Sequence, residues 1–198
     1  MNSLAYWIGF NKVRGIGPAR LRALLDAFGD IEAAWHAPVY RLEDIGLDHR
    51  SITSLVSGRS TLDLEAELQR VERSGARLLT WNDPDYPERL LQINDPPPLL
   101  YVLGELMPAD DWTVAIVGTR GPSPYGREAA RRLAADLAAA GVTVISGLAR
   151  GIDAVAHQAA LDAGGRTLAV LGSGIDVIYP AEHRRLAQSV SAHGALIS

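Results

Sequence analysis

The chain of 198 residues is long enough for one large or two small domains with a real core. Its 47% apolar and 21% charged content is that of a folded globular protein, and no apolar run reaches the ~18 residues of a membrane span or sits behind a basic N-terminal segment as an export signal would. With no cysteine there are no disulfides or thiolate metal sites, which is compatible with a reducing cytoplasm, and the net charge of −4 speaks against indiscriminate nucleic-acid binding.

The first 75 residues read as short helices. Leu4 to Phe10 is apolar enough to be buried, and Pro18 takes the favoured first position of a second helix. Leu21, Leu24, Leu25 and Phe28 follow at helical spacing, with Gly29 as the stop. Further helices are predicted over Ile31 to Ala37 and Asp48 to Val56, and one with Leu64, Leu68 and Val71 on its apolar stripe ends at Gly75. Arg77 to Trp81 is strand-like. Asn82 to Pro98 holds five prolines and cannot stay regular for long, yet Tyr86, Leu90, Leu91 and Ile93 offer groups to bury, so it reads as a structured connector.

From Leu99 the pattern alternates. Strand signatures at 99–103, 114–117, 142–145, 167–171 and 195–197 are separated by helical runs at 124–140, 154–163 and 181–192. Ser123 is the expected N-cap of the first run, with Pro124 after it, and Gly141 is the expected stop. Such alternation implies parallel, right-handed βαβ units, hence a doubly wound α/β sheet of Rossmann type. The expected organisation is a helical domain at 1–75, a connector with the first strands at 76–111, and a Rossmann-like domain at 112–198. The last strand runs to Ser198 without a covering helix, the pattern of a fragment.

Three glycine-bearing loops follow apolar strands: Gly118-Thr119-Arg120, Ser146-Gly147-Leu148-Ala149-Arg150-Gly151-Ile152-Asp153, and Gly172-Ser173-Gly174-Ile175-Asp176. In a parallel sheet these loops gather at one edge, where backbone amides and helix N-termini hold anions. Arg120 can fork onto a phosphate, Gly118 allows close approach and Thr119 offers a hydroxyl. In the second loop Gly147 and Gly151 flank Arg150, Ser146 can donate to an oxygen, and Asp153 is the expected N-cap of the next helix. His157 reads as a packing or hydrogen-bonding residue rather than an acid–base group. In the third loop Ser173 and Gly174 are candidates for phosphate or sugar, while Asp176 and Tyr179 shape the loop. That loop lacks the third glycine and the acidic ribose ligand of a dinucleotide site. The competing reading throughout is ordinary βα turns with exposed arginines.

Charge supports a polyanion at both ends. Residues 1–60 carry 7 basic and 6 acidic side chains, residues 61–111 carry 4 and 11, and residues 112–198 carry 8 and 6. Every basic residue except Lys12 is arginine, which grips phosphate and stacks on bases, although genome composition explains such a bias equally well. Near the N-terminus, Val13-Arg14-Gly15-Ile16-Gly17-Pro18 resembles a helix-hairpin-helix turn, which would present backbone amides to a DNA phosphate from around Arg14, Gly15 and Gly17. A plain tight turn in a small helical domain is the alternative.

Taken together, Val114 to Arg120, Ser123 to Gly126, Ser146 to Asp153, Ala156-His157 and Leu171 to Pro180 closely resemble the DNA processing protein A (DprA/Smf) family. Asp83 to Pro87 and Pro96 to Tyr101 are similar to its connector. The resemblance covers about 80–198 and extends loosely to the helical N-terminus. It implies a sterile-alpha-motif-like domain joined to an extended Rossmann domain, single-stranded DNA binding in natural transformation with a further use in repair, protection of the incoming strand, and loading of the RecA recombinase. Single-strand-binding protein and a second copy of the chain are further implied partners; no membrane, cofactor, metal or enzymatic activity is. The family's phosphate-binding residues fall on Gly118, Thr119 and Arg120, and its second-loop lysine on Arg150, which keeps the charge and changes the geometry. The family's sheet, with DNA-contacting and dimer-forming segments, continues past Ser198, and a C-terminal winged-helix-like domain can follow. The alternative enzyme is a phosphoribohydrolase-like nucleotide hydrolase, whose Pro-Gly-Gly-x-Gly-Thr-x-x-Glu motif is absent up to Ser198. A protein-binding adaptor is the third reading.

Overall fold

The protein is described by a computed structural model covering Asn2–Ser198. Its contacts separate two units: one runs to Arg73 and takes up Leu78–Leu100 as well, the other comprises Ser74–Arg77 and Tyr101–Ser198.

The first unit is built on α1 (Ser3–Lys12), α2 (Pro18–Phe28), α3 (Ile31–His36), α4 (Val39–Asp44), α5 (His49–Thr61) and α6 (Leu64–Ser74). Asn2, Asp30 and Asp48 cap α1, α3 and α5 through side-chain acceptors, and Gly29, at φ 82°, ends α2. The core gathers Trp7, Phe10, Leu21, Leu24, Trp35 and Leu55, with the Phe10 and Trp35 rings edge to face at 5.1 Å. Helix α4, unforeseen in the sequence, is a six-residue element that buries only Leu42. β1 (Arg77–Thr80) leads to the proline-rich stretch, which is ordered by side chains. Asp83 Oδ2 accepts from the Thr80 amide and hydroxyl, both at 2.7 Å, and the Pro97 carbonyl accepts from Trp81 Nε1 at 3.0 Å and from the Tyr86 hydroxyl at 2.7 Å. A short α7 (Glu88–Leu91) interrupts it.

The second unit holds the α/β sheet. Its elements are β2 (Leu99–Gly104), β3 (Thr113–Ala115), α8 (Pro124–Ala139), β4 (Thr143–Ser146), α9 (Ile152–Asp162), β5 (Thr167–Val170), α10 (Arg184–His193) and β6 (Ala195–Ile197), with β2 entering from the first unit. The strand order is β1-β2-β6-β5-β4-β3, and β3 to β6 are parallel in sequence order. Winding in one direction with right-handed crossovers puts α8, α9 and α10 on one face. β2 is the departure from an all-parallel sheet: it arrives from the connector rather than through a crossover helix and pairs antiparallel with β6, Val102 opposite Ile197.

Alanines set the helix packing. Ala130, Ala134 and Ala138 of α8 recur every four residues and face Ala156, Ala159 and Ala160 of α9, with Ile116, Val144 and Ile152 completing the buried cluster. At the other end of the strands, Arg166 clamps Asp110. Arg166 Nε and Nη2 donate to Asp110 Oδ1 and Oδ2 at 2.7 and 2.9 Å, and further donors reach the Glu105 and His193 carbonyls. Asp110 also accepts from the Thr143 hydroxyl at 2.9 Å and the Met107 amide at 2.8 Å.

Candidate functional site

The loops after β3, β4 and β5 all leave the C-terminal edge of the parallel strands, and they converge on one open cavity of about 530 Å³. Arg120 reaches it from the first loop; Gly147, Ala149 and Arg150 from the second; Leu171, Gly172, Ser173, Val177, Tyr179 and Pro180 from the third. The two arginines, 30 positions apart, therefore share one wall.

The first loop is laid directly on the second. The Ile152 amide donates to the Thr119 carbonyl at 3.2 Å. Gly151 sits at φ 84°, and a β-carbon there would run into the Thr119 carbonyl oxygen and stand 2.7 Å from Arg120 Cα. Over Gly118 it is the Ile152 side chain that stands close, 2.7 Å from where a β-carbon would lie. The Thr119 hydroxyl accepts from the Gly121 amide at 3.2 Å. Arg120 is exposed and makes no hydrogen bond or ion pair among the described residues.

The second loop is held from beneath. Asp153 is not the N-cap that the sequence suggested: Gly151 takes that place and Asp153 lies two positions further on, at the second residue of α9. From there its buried Oδ2 accepts from the Gly147 and Ala149 amides at 3.1 and 3.3 Å. These two amides serve the loop's own carboxylate. Ser146 is buried, and the oxygen its hydroxyl serves is the Ile116 carbonyl at 2.6 Å, which ties β4 to the start of the first loop. Leu148 is fully buried in the left-handed region at φ 60°, and His183 Nδ1–H donates to its carbonyl at 2.8 Å. A bulky residue held there stores backbone strain of the kind that marks functional loops.

Arg150 points outward and is paired: its Nε donates to Glu182 Oε1 at 2.6 Å. That hydrogen bond, then the Coulomb attraction, raises the Arg150 pKa; the same bond, then one from its own backbone amide, lowers that of Glu182. Only Nε is engaged, so both terminal nitrogens of the fork remain for a ligand.

In the third loop the Ser173 hydroxyl donates to the Val177 carbonyl at 2.6 Å, while Gly174 is exposed beside Asp176. Gly172 has open space around it. Tyr179, expected to shape the loop, instead projects: it is 68% exposed and lines the cavity with Val177. Sequence reasoning did not place either residue at the cavity, and it missed Glu182 and His183 altogether. The available signal was the run Val177-Ile178-Tyr179 in a segment with no helix or strand to bury it.

His157 is buried with its Nδ1 2.7 Å from the Thr167 hydroxyl. Because that hydroxyl donates to the Val144 carbonyl at 2.7 Å, the ring carries its proton on Nδ1, and Nε2 is a bare acceptor without a partner. Burial pushes its pKa down to about 4. His157 is thus a neutral core residue.

Arg14, Gly15 and Gly17 belong to the first unit and are not among the cavity-lining residues. Gly15, at φ 91°, turns the chain between α1 and α2, and its carbonyl accepts from Arg20 Nη1 at 2.6 Å and Ser51 Oγ at 3.3 Å. Gly17 is the N-cap of α2, and Arg14 is exposed.

The fold is therefore that of a Rossmann-like α/β protein whose strand-end loops bring two guanidinium groups to one cavity. The chain belongs to the DNA recombination-mediator protein A family, whose model matches residues 77–198. It is similar to Protein Smf of Synechocystis, 39% identical over 199 residues that cover 98% of this chain and 50% of that protein. The X-ray structure of DNA processing protein A from Streptococcus pneumoniae superposes with a TM-score of 0.78 at 28% identity, covering 98% of this chain and 66% of that one. A Helicobacter pylori DNA processing protein A, solved for its single-stranded DNA binding mode, matches with a TM-score of 0.54 at 31% identity over 63% of this chain and 56% of its own. The chain spans about half the length of the curated relatives it matches. No helix among the described residues is long and apolar enough to cross a membrane.

Proposed function

We propose that this chain is the single-stranded DNA-binding part of a recombination mediator. Arg120 and Arg150 hold successive phosphates at the rim, with Gly118, Thr119, Gly147, Gly151, Ser173 and Gly174 forming the turns around them. In the cell the bound strand is incoming DNA in the cytoplasm during natural transformation, protected and handed to the RecA recombinase, with repair as a second use. Single-strand-binding protein and a second copy of the chain are its further partners. The observation that carries this reading is the shared cavity of two arginines from separate loops.

The test is a titration of fluorescent single-stranded oligonucleotide across salt, beside duplex of the same sequence and free mononucleotide. Single strand should bind best, with affinity falling as salt rises. Arg120→Ala and Arg150→Ala should each weaken binding roughly tenfold, the loss of one charge-assisted contact. Turnover of the mononucleotide would transfer the site to the hydrolase reading, and unchanged binding by both variants would remove the rim from the mechanism.

A further inference from the structure

The second loop does two opposite things within three residues: it buries Leu148 and sends Arg150 out to the rim. It does so with Leu148 in the left-handed region at φ 60°. Sterics set a leucine against that conformation, so something beyond its own backbone has to hold it. Part of the hold is burial of the side chain, which fixes where Leu148 sits but not which way the next peptide faces.

That peptide, joining Leu148 to Ala149, is bonded at both ends. Its N–H donates to Asp153 Oδ2 at 3.3 Å, and its carbonyl accepts from His183 Nδ1–H at 2.8 Å. Asp153 belongs to the same βα segment as the loop, whereas His183 lies 35 positions beyond Leu148. The next residue along the chain is Arg150, so the plane of this peptide sets the direction in which the arginine leaves the loop.

His183 is placed to reach across. It ends the 3-10 turn Ala181–His183 and stands at the N-cap position of α10, yet its side chain makes no capping bond to that helix. Its amide closes the turn by donating to the Pro180 carbonyl at 3.0 Å. The residue is half-buried and is not among those that line the cavity. A carbonyl can only accept, so Nδ1 carries a proton, and it does so in the charged ring as in the neutral one. The residue before it, Glu182, pairs with Arg150 Nε, but that pair is exposed and exchangeable. The His183 bond, to main chain and partly buried, is the more durable of the two.

We propose that His183 is a positioning residue for the rim: by holding the Leu148 carbonyl it keeps the second loop in the form that delivers Arg150. It touches no ligand and acts through the loop. The proposal rests on the single-strand reading above and deepens it, because it names what sets the geometry of one of the two arginines.

The experiment uses two near-isosteric variants. His183→Leu keeps the side-chain branch and removes the donor, whereas His183→Asn puts an amide N–H where Nδ1–H stands. Binding of a fluorescent 12-mer oligothymidylate to the full chain is followed by anisotropy across salt. His183→Leu should weaken binding about 5- to 10-fold, approaching the loss from Arg150→Ala. Its log–log salt slope should shrink by about 0.7, the signature of one lost single-strand phosphate contact. His183→Asn should restore both. Added to Arg150→Ala, His183→Leu should cost no more than about twofold further, since the two act through one contact. Without DNA, amide hydrogen exchange at Ala149 should quicken about tenfold in His183→Leu and return toward wild type in His183→Asn.

Wild-type affinity in His183→Leu, a full second loss in the double variant, or no rescue by His183→Asn overturns the positioning role and leaves the rim standing. Unchanged exchange at Ala149 overturns it too. His183→Ala repeats every comparison with a smaller side chain, so that a leucine which disturbs folding does not decide the matter. If wild type binds no single strand at any salt, the single-strand reading itself falls, and the positioning role with it.

Discussion

At the scale of single residues, the rim carries its own opposition. Glu182 and Arg150 are both more than half exposed, at 53% and 57%, so their pairing is solvent-screened and easily exchanged. A phosphate arriving at the Arg150 fork nevertheless meets a carboxylate within a few ångströms. Glu182→Gln keeps an oxygen that can accept from Arg150 Nε and removes the charge. We expect oligonucleotide affinity to rise roughly two- to fivefold at low ionic strength and to converge with wild type near molar salt, where the screening length falls to about 3 Å; a titration at three salt concentrations checks both parts. His157 makes a second case, this time for stability. Burial depresses its pKa to about 4, the Asp153 carboxylate opposing the shift and His183 adding to it. The unfolded chain, with an ordinary imidazole near 6.5, binds the proton first. Stability is therefore intact above pH 6.5, declines as pH falls below it, and levels off below about pH 4 after a loss of roughly 3 kcal/mol from this residue. Urea unfolding at pH 7.5 and 5 should show a smaller acid loss in His157→Leu than in wild type, whatever that variant costs at neutral pH.

Elements explain why those residues meet. Turn chemistry was readable in advance: Ser123 caps α8 through its side chain, Gly29 closes α2, and the apolar runs became strands close to where they were expected. The convergence of Arg120 and Arg150 followed from strand-end geometry alone, because parallel strands deliver their outgoing loops to one edge. The contacts between loops were not readable. Gly118, Gly147 and Gly151 look in sequence like room for a ligand, yet Ile152, the Asp153 carboxylate and the Thr119 carbonyl are what crowd them. Asp153 could not be told from an N-cap, since its true role depends on the Gly147 and Ala149 amides folding back over the first turn of α9. Helix α4 went unseen because it buries only Leu42 and so shows no apolar stripe, whereas α3, of equal length, buries Ile31, Ala34 and Trp35. The decisive element-scale test is Gly151→Ala. A methyl group there meets the main chain of the first loop and demands a left-handed alanine. Loss of about 1–3 kcal/mol in stability is expected from the strained backbone, and oligonucleotide affinity should drop tenfold or more as the loops part, with the circular dichroism of the helices preserved.

For the whole second unit, the two ends of the parallel strands have separate duties. The C-terminal ends carry the rim. The N-terminal ends carry the Arg166–Asp110 clamp, where side chains only 20% and 10% exposed join the approaches to β3, β4, β5 and β6. Desolvation pushes the Asp110 pKa up, but hydrogen bonds from Arg166, the Met107 amide and Thr143 outweigh it and leave the carboxyl below its usual range. Its contribution is present above the unfolded-state pKa of about 3.9 and is lost as pH falls through the folded value. Removing the cation alone would strand a buried carboxylate, a change that typically costs about 3–5 kcal/mol. Arg166→Met should therefore lower the urea midpoint sharply at pH 7. The gap to wild type should narrow as pH drops toward 4, because the stranded carboxyl can then take a proton. At 10 °C, with the variant still folded, its oligonucleotide affinity should match wild type within about twofold, since every lining residue of the cavity lies at the far end of the strands. A variant that lost stability and affinity in proportion would mean instead that the clamp sets the spacing of the rim loops through the strands themselves.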